Sequence, residues 1–197
     1  VLLYLDANGR YRSKAALRRV LDEADRLGLL QRIVVLEEPF AADSEEMVGD
    51  LGVLVAADES LHDPADVALR AQAGYGAVAI KPAGKTLSVA FDMLAAAATH
   101  GMVAFVADNA CVPVLVEWNK NVAARLPAFP GVRGGMMESN GPENYGRWQQ
   151  MLTEHPSAGS RWLTARDGAY ELDEAYYAAA GGILQDPTAY LTELRRR

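Results

Sequence analysis

The sequence predicts an α/β fold in which parallel strands alternate with helices and the strands' C-terminal ends share one face. Three observations predict it. Short apolar runs end in a charged residue six times, at Asp6, Glu37, Asp58, Lys81, Asp108 and Glu138. Successive tips lie 31, 21, 23, 27 and 30 residues apart, about one strand-plus-helix unit each. A stretch with helical spacing or helix-boundary residues follows each run. A barrel of βα units is expected, because its active face takes residues from every strand end. An open doubly wound sheet concentrates them at one switch point and often shows a Gly-rich phosphate loop. Ala83-Gly84-Lys85-Thr86 lacks the first glycine of such a loop.

Taken in order, Val1–Asp6 is the first expected strand, and Asn8-Gly9 turns the chain. Ser13 caps a helix whose apolar positions are Ala16, Leu17, Val20, Leu21, Ala24 and Leu27, and Gly28 stops it. Ile33–Glu37 is the second strand, closed by Pro39, and Asp43–Asp50 is expected as a short acidic helix. Val53–Ala57 is the third strand. Asp63-Pro64 opens the next helix, with cap and proline in their favoured places. Tyr75–Ile80 is the fourth strand, and a helix is expected over 86–99. Met102–Ala107 is the fifth strand, followed by a helix over 113–125. Gly131–Met137 is the sixth strand candidate, followed by a helix over 143–153. From Pro156 the composition changes. Arg166-Asp167-Gly168 reads as a turn, and Tyr170, Tyr176, Tyr177 and Tyr190 make the end aromatic. The expected organisation is a partial barrel with a metal site over 1–155 and a closing segment over 156–197.

Composition narrows the function classes. At 197 residues and 50% hydrophobic, the chain can bury one sizeable core. A net charge of −7 leaves no electrostatic footprint for nucleic acid, and the Leu194-Arg-Arg-Arg ending reads as a solvated helix end. No apolar run is long enough for a membrane span. A single cysteine, Cys111, excludes an internal disulfide and fits a reducing compartment, so a cytoplasmic protein is expected. His62, His100 and His155 fall on helices or loops and read as surface residues, and Cys111 as a small buried hydrophobe.

Three acid-tipped strands in succession suggest carboxylates converging at one mouth, and an all-oxygen set of this kind suits Mg2+. The alternative is three solvated strand ends that never meet. At this point the motifs Leu5-Asp6-Ala-Asn8-Gly9, Leu36-Glu37-Glu38-Pro39, Ala57-Asp58-Glu59-Ser60 and Ile80-Lys81-Pro82 resemble successive strand ends of the enolase superfamily, in its mandelate racemase and muconate-lactonizing branch. The resemblance covers roughly residues 1–150. It implies a modified TIM barrel with a separate N-terminal capping domain, and Asp6, Glu37 and Asp58 as Mg2+ ligands. It further implies an enediolate formed by loss of the proton α to a carboxylate, and Lys81 at the sixth barrel strand as acid/base residue. Asn8, Glu38, Glu59 and Glu138 are expected beside the ligands or the substrate, and Asp108 as a second catalytic candidate. The implied partners are a small carboxylate substrate and further copies of the full-length chain.

The resemblance also sets its own departures. The first two barrel strands, the Lys-x-Lys motif and the capping domain have no counterpart in this sequence. A fragment with a raw N-terminal edge, inactive alone and prone to associate, is therefore the expectation. The seventh-strand end reads Val106-Ala-Asp108-Asn109-Ala-Cys111, with no histidine for a His–Asp dyad. The expected activity is that of a racemase, epimerase or cycloisomerase. An acid-sugar dehydratase, with Asp108 or Glu138 as the additional acid, and a catalytically silent ligand-binding barrel are the alternatives.

Overall fold

The computed structural model describes residues Val1–Arg195; Arg196, Arg197 and the side chains of Ala189, Tyr190 and Glu193 lie outside the described residues. Five strands form one sheet in the order β1-β2-β3-β4-β5: Leu3–Asp6, Ile33–Glu37, Val55–Ala57, Ala77–Ile80 and Val103–Val106. The registered pairs β1–β2, β2–β3 and β3–β4 are all parallel, and sequence order equals spatial order. Among the described residues, the α-helices are α1 Lys14–Arg26, α2 Pro64–Gln72, α3 Leu87–Thr99, α4 Pro113–Ala123, α5 Gly141–Asn144, α6 Trp148–Thr153, α7 Glu174–Ala178 and α8 Thr188–Arg195. The chain divides into two compact units. One holds residues 1–80, 87–105 and 127–134; the other holds 81–86, 106–126 and 135–197.

The first unit contains nearly all of the sheet. Its central strands are apolar on both faces, as parallel strands covered by helices must be: Val35, Leu36, Val55, Ala56, Ala77, Val78 and Ile80 are all buried. The sheet is curled. Tyr4 on β1 and Phe105 on β5, the two ends of the strand order, meet edge-on at 5.6 Å, and Phe105 meets Phe129 at the same distance. A flat five-stranded sheet would hold its outer strands about 19 Å apart, so these strands form a half-barrel with an aromatic interior. The helices begin where the sequence placed them. Ser13 accepts a hydrogen bond from the Ala16 N–H, and Asp63 with Asp66 forms a full capping box at α2. α1 turns Leu17 and Leu21 inward, α2 Val67, and α3 Ala90, Met93 and Ala97.

Three expected elements are corrected. Residues 43–50 are not a helix. Arg70 on α2 donates to the carbonyls of Ala42 and Ser44, and the Val48 N–H bonds the Ala73 carbonyl, so this backbone is held by distant partners rather than by its own ladder. Gly131–Met137 is not a strand. It supplies one parallel bridge, Val106 to Met137, while the Phe129 N–H turns back to the Gly134 carbonyl. Gly135 packs so close to the Ala123 carbonyl that a Cβ would sit 1.8 Å from the oxygen, which fixes a glycine where a strand would want a side chain. The helix expected over 143–153 is two pieces, α5 and α6, because Tyr145 is extended between them and its hydroxyl donates to the Ala110 carbonyl at 2.7 Å.

Candidate metal centre at the strand tips

The first unit delivers its acids at one edge. Asp6 ends β1 and Glu37 ends β2, and the two are direct register partners. Glu37 pairs in turn with Ala56, and Asp58 follows the last residue of β3. The chain beyond the strands stays zipped: the Ala7, Gly9 and Tyr11 N–H groups donate to the carbonyls of Glu37, Glu38 and Pro39 at 3.0, 2.7 and 3.0 Å. Gly9, at φ 66°, permits this approach, since a Cβ there would stand 3.2 Å from the Phe40 carbonyl oxygen.

Each acid has a different environment. Asp6 is exposed, and Asn8 clasps it through its backbone N–H (2.9 Å to Oδ1) and its side-chain amide (2.5 Å to Oδ2). Asn8 sits at φ 47°, a left-handed position asparagine tolerates. Glu37 is buried, and the Tyr4 hydroxyl donates to its Oε2. Glu38 is buried too, at φ 32°. Its Oε2 accepts from the Asp58 N–H (2.6 Å), the Ser60 N–H (3.1 Å) and the Ser60 hydroxyl (2.9 Å). Glu38 therefore holds the loop that carries Asp58. Asp58 is itself buried, and Glu59 is exposed.

The strand-end donors are all carboxylate oxygen, the ligand type that hard cations prefer. Glu37, Glu38 and Asp58 bury three carboxylates at 1%, 1% and 4% exposure on neighbouring strand ends, a concentration of negative charge that a hard, oxygen-seeking cation offsets. Among the described residues, however, no group of three or more His, Cys, Asp or Glu side chains stands close enough to hold an ion. Asn8 engages both carboxylate oxygens of Asp6, and Tyr4 engages one of Glu37.

The second unit organises the other predicted residues. Lys81 opens it directly after β4 and is half-buried. Asp108 is buried, and its carboxylate is engaged by three backbone amides: Asn109 (2.7 Å) and Cys111 (2.9 Å) on Oδ1, and Asn140 (2.7 Å) on Oδ2. Glu138 follows the Val106–Met137 bridge and accepts from the Asp108 N–H at 2.8 Å. Cys111 is buried as expected. Burial first, and the Asp108 carboxylate second, push its thiol up to about 11, which makes it unreactive at neutral pH.

Two features of this unit were misread or missed in the sequence. His155 is buried rather than on the surface, and its Nδ1 accepts from the Ser157 N–H. Burial first, then the nearby Lys120 charge, lower it to about 4. Glu117 and Lys120 on α4 form a buried ion pair at 2.7 Å. Lys120 also donates to the Trp162 carbonyl at 2.6 Å and lies 4.1 Å from the centre of the Tyr170 ring. Burial raises Glu117 to about 7 against the opposing pull of Lys120. The signal was present: these two charges lie one turn apart on a helix whose other residues are largely apolar.

No protein-family model and no curated protein matches the chain. Solved structures do. A mandelate racemase/muconate lactonizing enzyme from Roseiflexus sp. is 27% identical, with a TM-score of 0.61, over 73% of this chain and 40% of its own. A mandelate racemase/muconate lactonizing type protein from Sorangium cellulosum is 26% identical, with a TM-score of 0.62, over 72% and 39%. A dipeptide epimerase from Methylococcus capsulatus, complexed with Mg ion, shares the fold at 23% identity and a TM-score of 0.60, over 75% and 42%. The chain spans about 40% of the length of these relatives. With its curled parallel sheet and acid-ended strands, the chain is similar to part of the barrel of mandelate racemase/muconate lactonizing proteins, the branch of the enolase superfamily that its strand-end motifs resemble.

Proposed function

We propose that this chain carries the metal-binding half of an enzyme that removes and returns the proton α to a carboxylate, as a racemase, epimerase or cycloisomerase does. One observation carries the reading: Asp6 and Glu37 are register partners at the C-terminal ends of adjacent strands, with Asp58 just past the end of the next. Asp6, Glu37 and Asp58 would hold Mg2+. When bound, the ion supplies positive charge against the substrate carboxylate as the α-proton leaves. The chain's own residues do the rest. Glu38 positions Asp58 through the 58–60 loop. Asn8 orients Asp6. Lys81 is the residue assigned to take the proton and give it back.

The dehydratase alternative asks for an additional acid, with Asp108 and Glu138 as candidates. Asp108 is committed to three backbone amides and Glu138 to the Asp108 N–H. This favours proton transfer without elimination. The test is exchange of substrate α-protons in deuterated water, followed by NMR, with the longest natural form of the protein and a panel of carboxylates. Dipeptides belong in the panel because the Methylococcus neighbour is a dipeptide epimerase. Mg2+-dependent exchange supports the reading. Exchange that persists in EDTA, or none with any panel member, contradicts it.

A further inference from the structure

We propose that the second unit carries a further binding site, a groove between α6 and residues 158–170 that takes an aromatic carboxylate. Two adjoining cavities form it, of about 430 and 380 Å3. They share Gln149, Leu152, Leu163 and Thr164, and every residue lining them belongs to the second unit. The larger cavity has the volume of a small-molecule pocket. Trp148, Leu152, Leu163 and Tyr170 wall it, and no charged side chain among the described residues lines it. Both walls are held by further contacts, so the groove is preformed. On one side Lys120 donates to the Trp162 carbonyl at 2.6 Å, and its Nζ stands 4.1 Å from the centre of the Tyr170 ring. On the other, Trp148 stacks on Tyr145 at 6.4 Å, and the Tyr145 hydroxyl donates to the Ala110 carbonyl.

The smaller cavity supplies the charge. Its charged lining residues, among those described, are Arg161 and Arg166. Arg161 is paired with Glu171 at 2.5 Å, whereas Arg166 makes no ion pair among the described residues. The nearby acids Asp167 and Glu171 line neither cavity. A guanidinium without a partner meets a carboxylate through two parallel N–H donors. The apolar, aromatic cavity beside it suits a flat ring, which gains from offset or edge-on contact with Trp148 and Tyr170. A carboxylate carried on an aromatic ring satisfies both halves of the groove.

Isothermal titration of naphthoate, and of naphthalenemethanol as its uncharged counterpart, into the 197-residue chain tests the site. Two variants accompany the wild type, with far-UV circular dichroism to compare the folds. Arg166→Gln removes the charge at an exposed position, and Thr164→Trp fills the groove where the two cavities meet. The wild type should bind naphthoate more tightly than the alcohol. Arg166→Gln should weaken naphthoate by roughly fivefold and leave the alcohol unchanged. Thr164→Trp should abolish binding of both. A wild type that binds neither compound overturns the proposal. So does equal affinity for acid and alcohol, or an Arg166→Gln variant that keeps the wild-type preference. Binding that survives in a folded Thr164→Trp variant places the ligand elsewhere and also overturns it. Should Thr164→Trp not fold, the Arg166→Gln comparison decides alone.

Discussion

The buried Glu38 carboxylate accepts the backbone N–H of Asp58 at 2.6 Å, so the end of β2 fixes the residue that leaves β3. The same oxygen takes both donors of Ser60, and the backbone at Glu38 adopts φ 32°, a conformation non-glycine residues seldom hold. One acid that touches no metal in the proposed chemistry thus sets the position of one that does.

Glu38→Ala should accordingly damage both stability and the metal site. It leaves two backbone N–H groups and a hydroxyl without their acceptor, at a cost of roughly 2–4 kcal/mol. Glu38→Gln keeps an accepting oxygen and should cost about half as much. Thermal melts with and without Mg2+ check this, and the alanine variant should show the smaller Mg2+-induced rise.

Lys120→Met should destabilise by about 3–5 kcal/mol, because it strands Glu117 as a buried, unpaired acid. The double variant Lys120→Met with Glu117→Leu should recover much of that loss. Urea unfolding of the two variants gives the comparison, and equal stabilities would contradict the pairing.

His155 predicts a pH dependence. Its folded pKa is lowered to about 4 from 6.5, so the folded chain binds fewer protons than the unfolded chain in between. The stabilisation is complete above 6.5 and is lost as pH falls through 4. Between those values the wild type should lose on the order of 2 kcal/mol that His155→Gln does not lose. Melting temperatures of both proteins across pH 4–7 measure it.

In the full-length enzyme, Lys81→Ala should lower turnover by roughly 10²–10⁴-fold while leaving Mg2+ affinity unchanged, since no proposed ligand is removed. If Lys81 serves one face of the substrate, the variant should lose α-proton exchange from one stereoisomer and keep some from the other. Near-normal exchange with both isomers would make Lys81 structural.

Much of this was legible in the sequence because it is local. Apolar runs ending in charge gave β1 to β5, and Ser13 and Asp63 marked two helix starts. Asp6, Glu37 and Asp58 stood out as ligand candidates because the first two end strands and the third directly follows one. What stayed hidden depends on distant partners. The carbonyls of Ala42 and Ser44 answer to Arg70, so residues 43–50 cannot be judged from their own spacing. Gly131, Gly134 and Gly135 weaken the sixth run, and Gly135 is fixed by the approach of the Ala123 carbonyl. His155 and the Glu117–Lys120 pair look solvated in one dimension and are covered by residues far along the chain, Trp162 in the case of Lys120. Tyr4 drew no notice because nothing in a four-residue apolar strand reveals that its hydroxyl reaches Glu37.

The most direct measurement is a crystal structure of the chain soaked in Mn2+, a stand-in for Mg2+ that is visible by anomalous scattering. The account predicts one peak at the C-terminal edge of the sheet, bound by carboxylate oxygens of Asp6, Glu37 and Asp58 at about 2.0–2.2 Å. A peak held by other residues, no peak at that edge, or any one of the three carboxylates turned away from a peak there would contradict it.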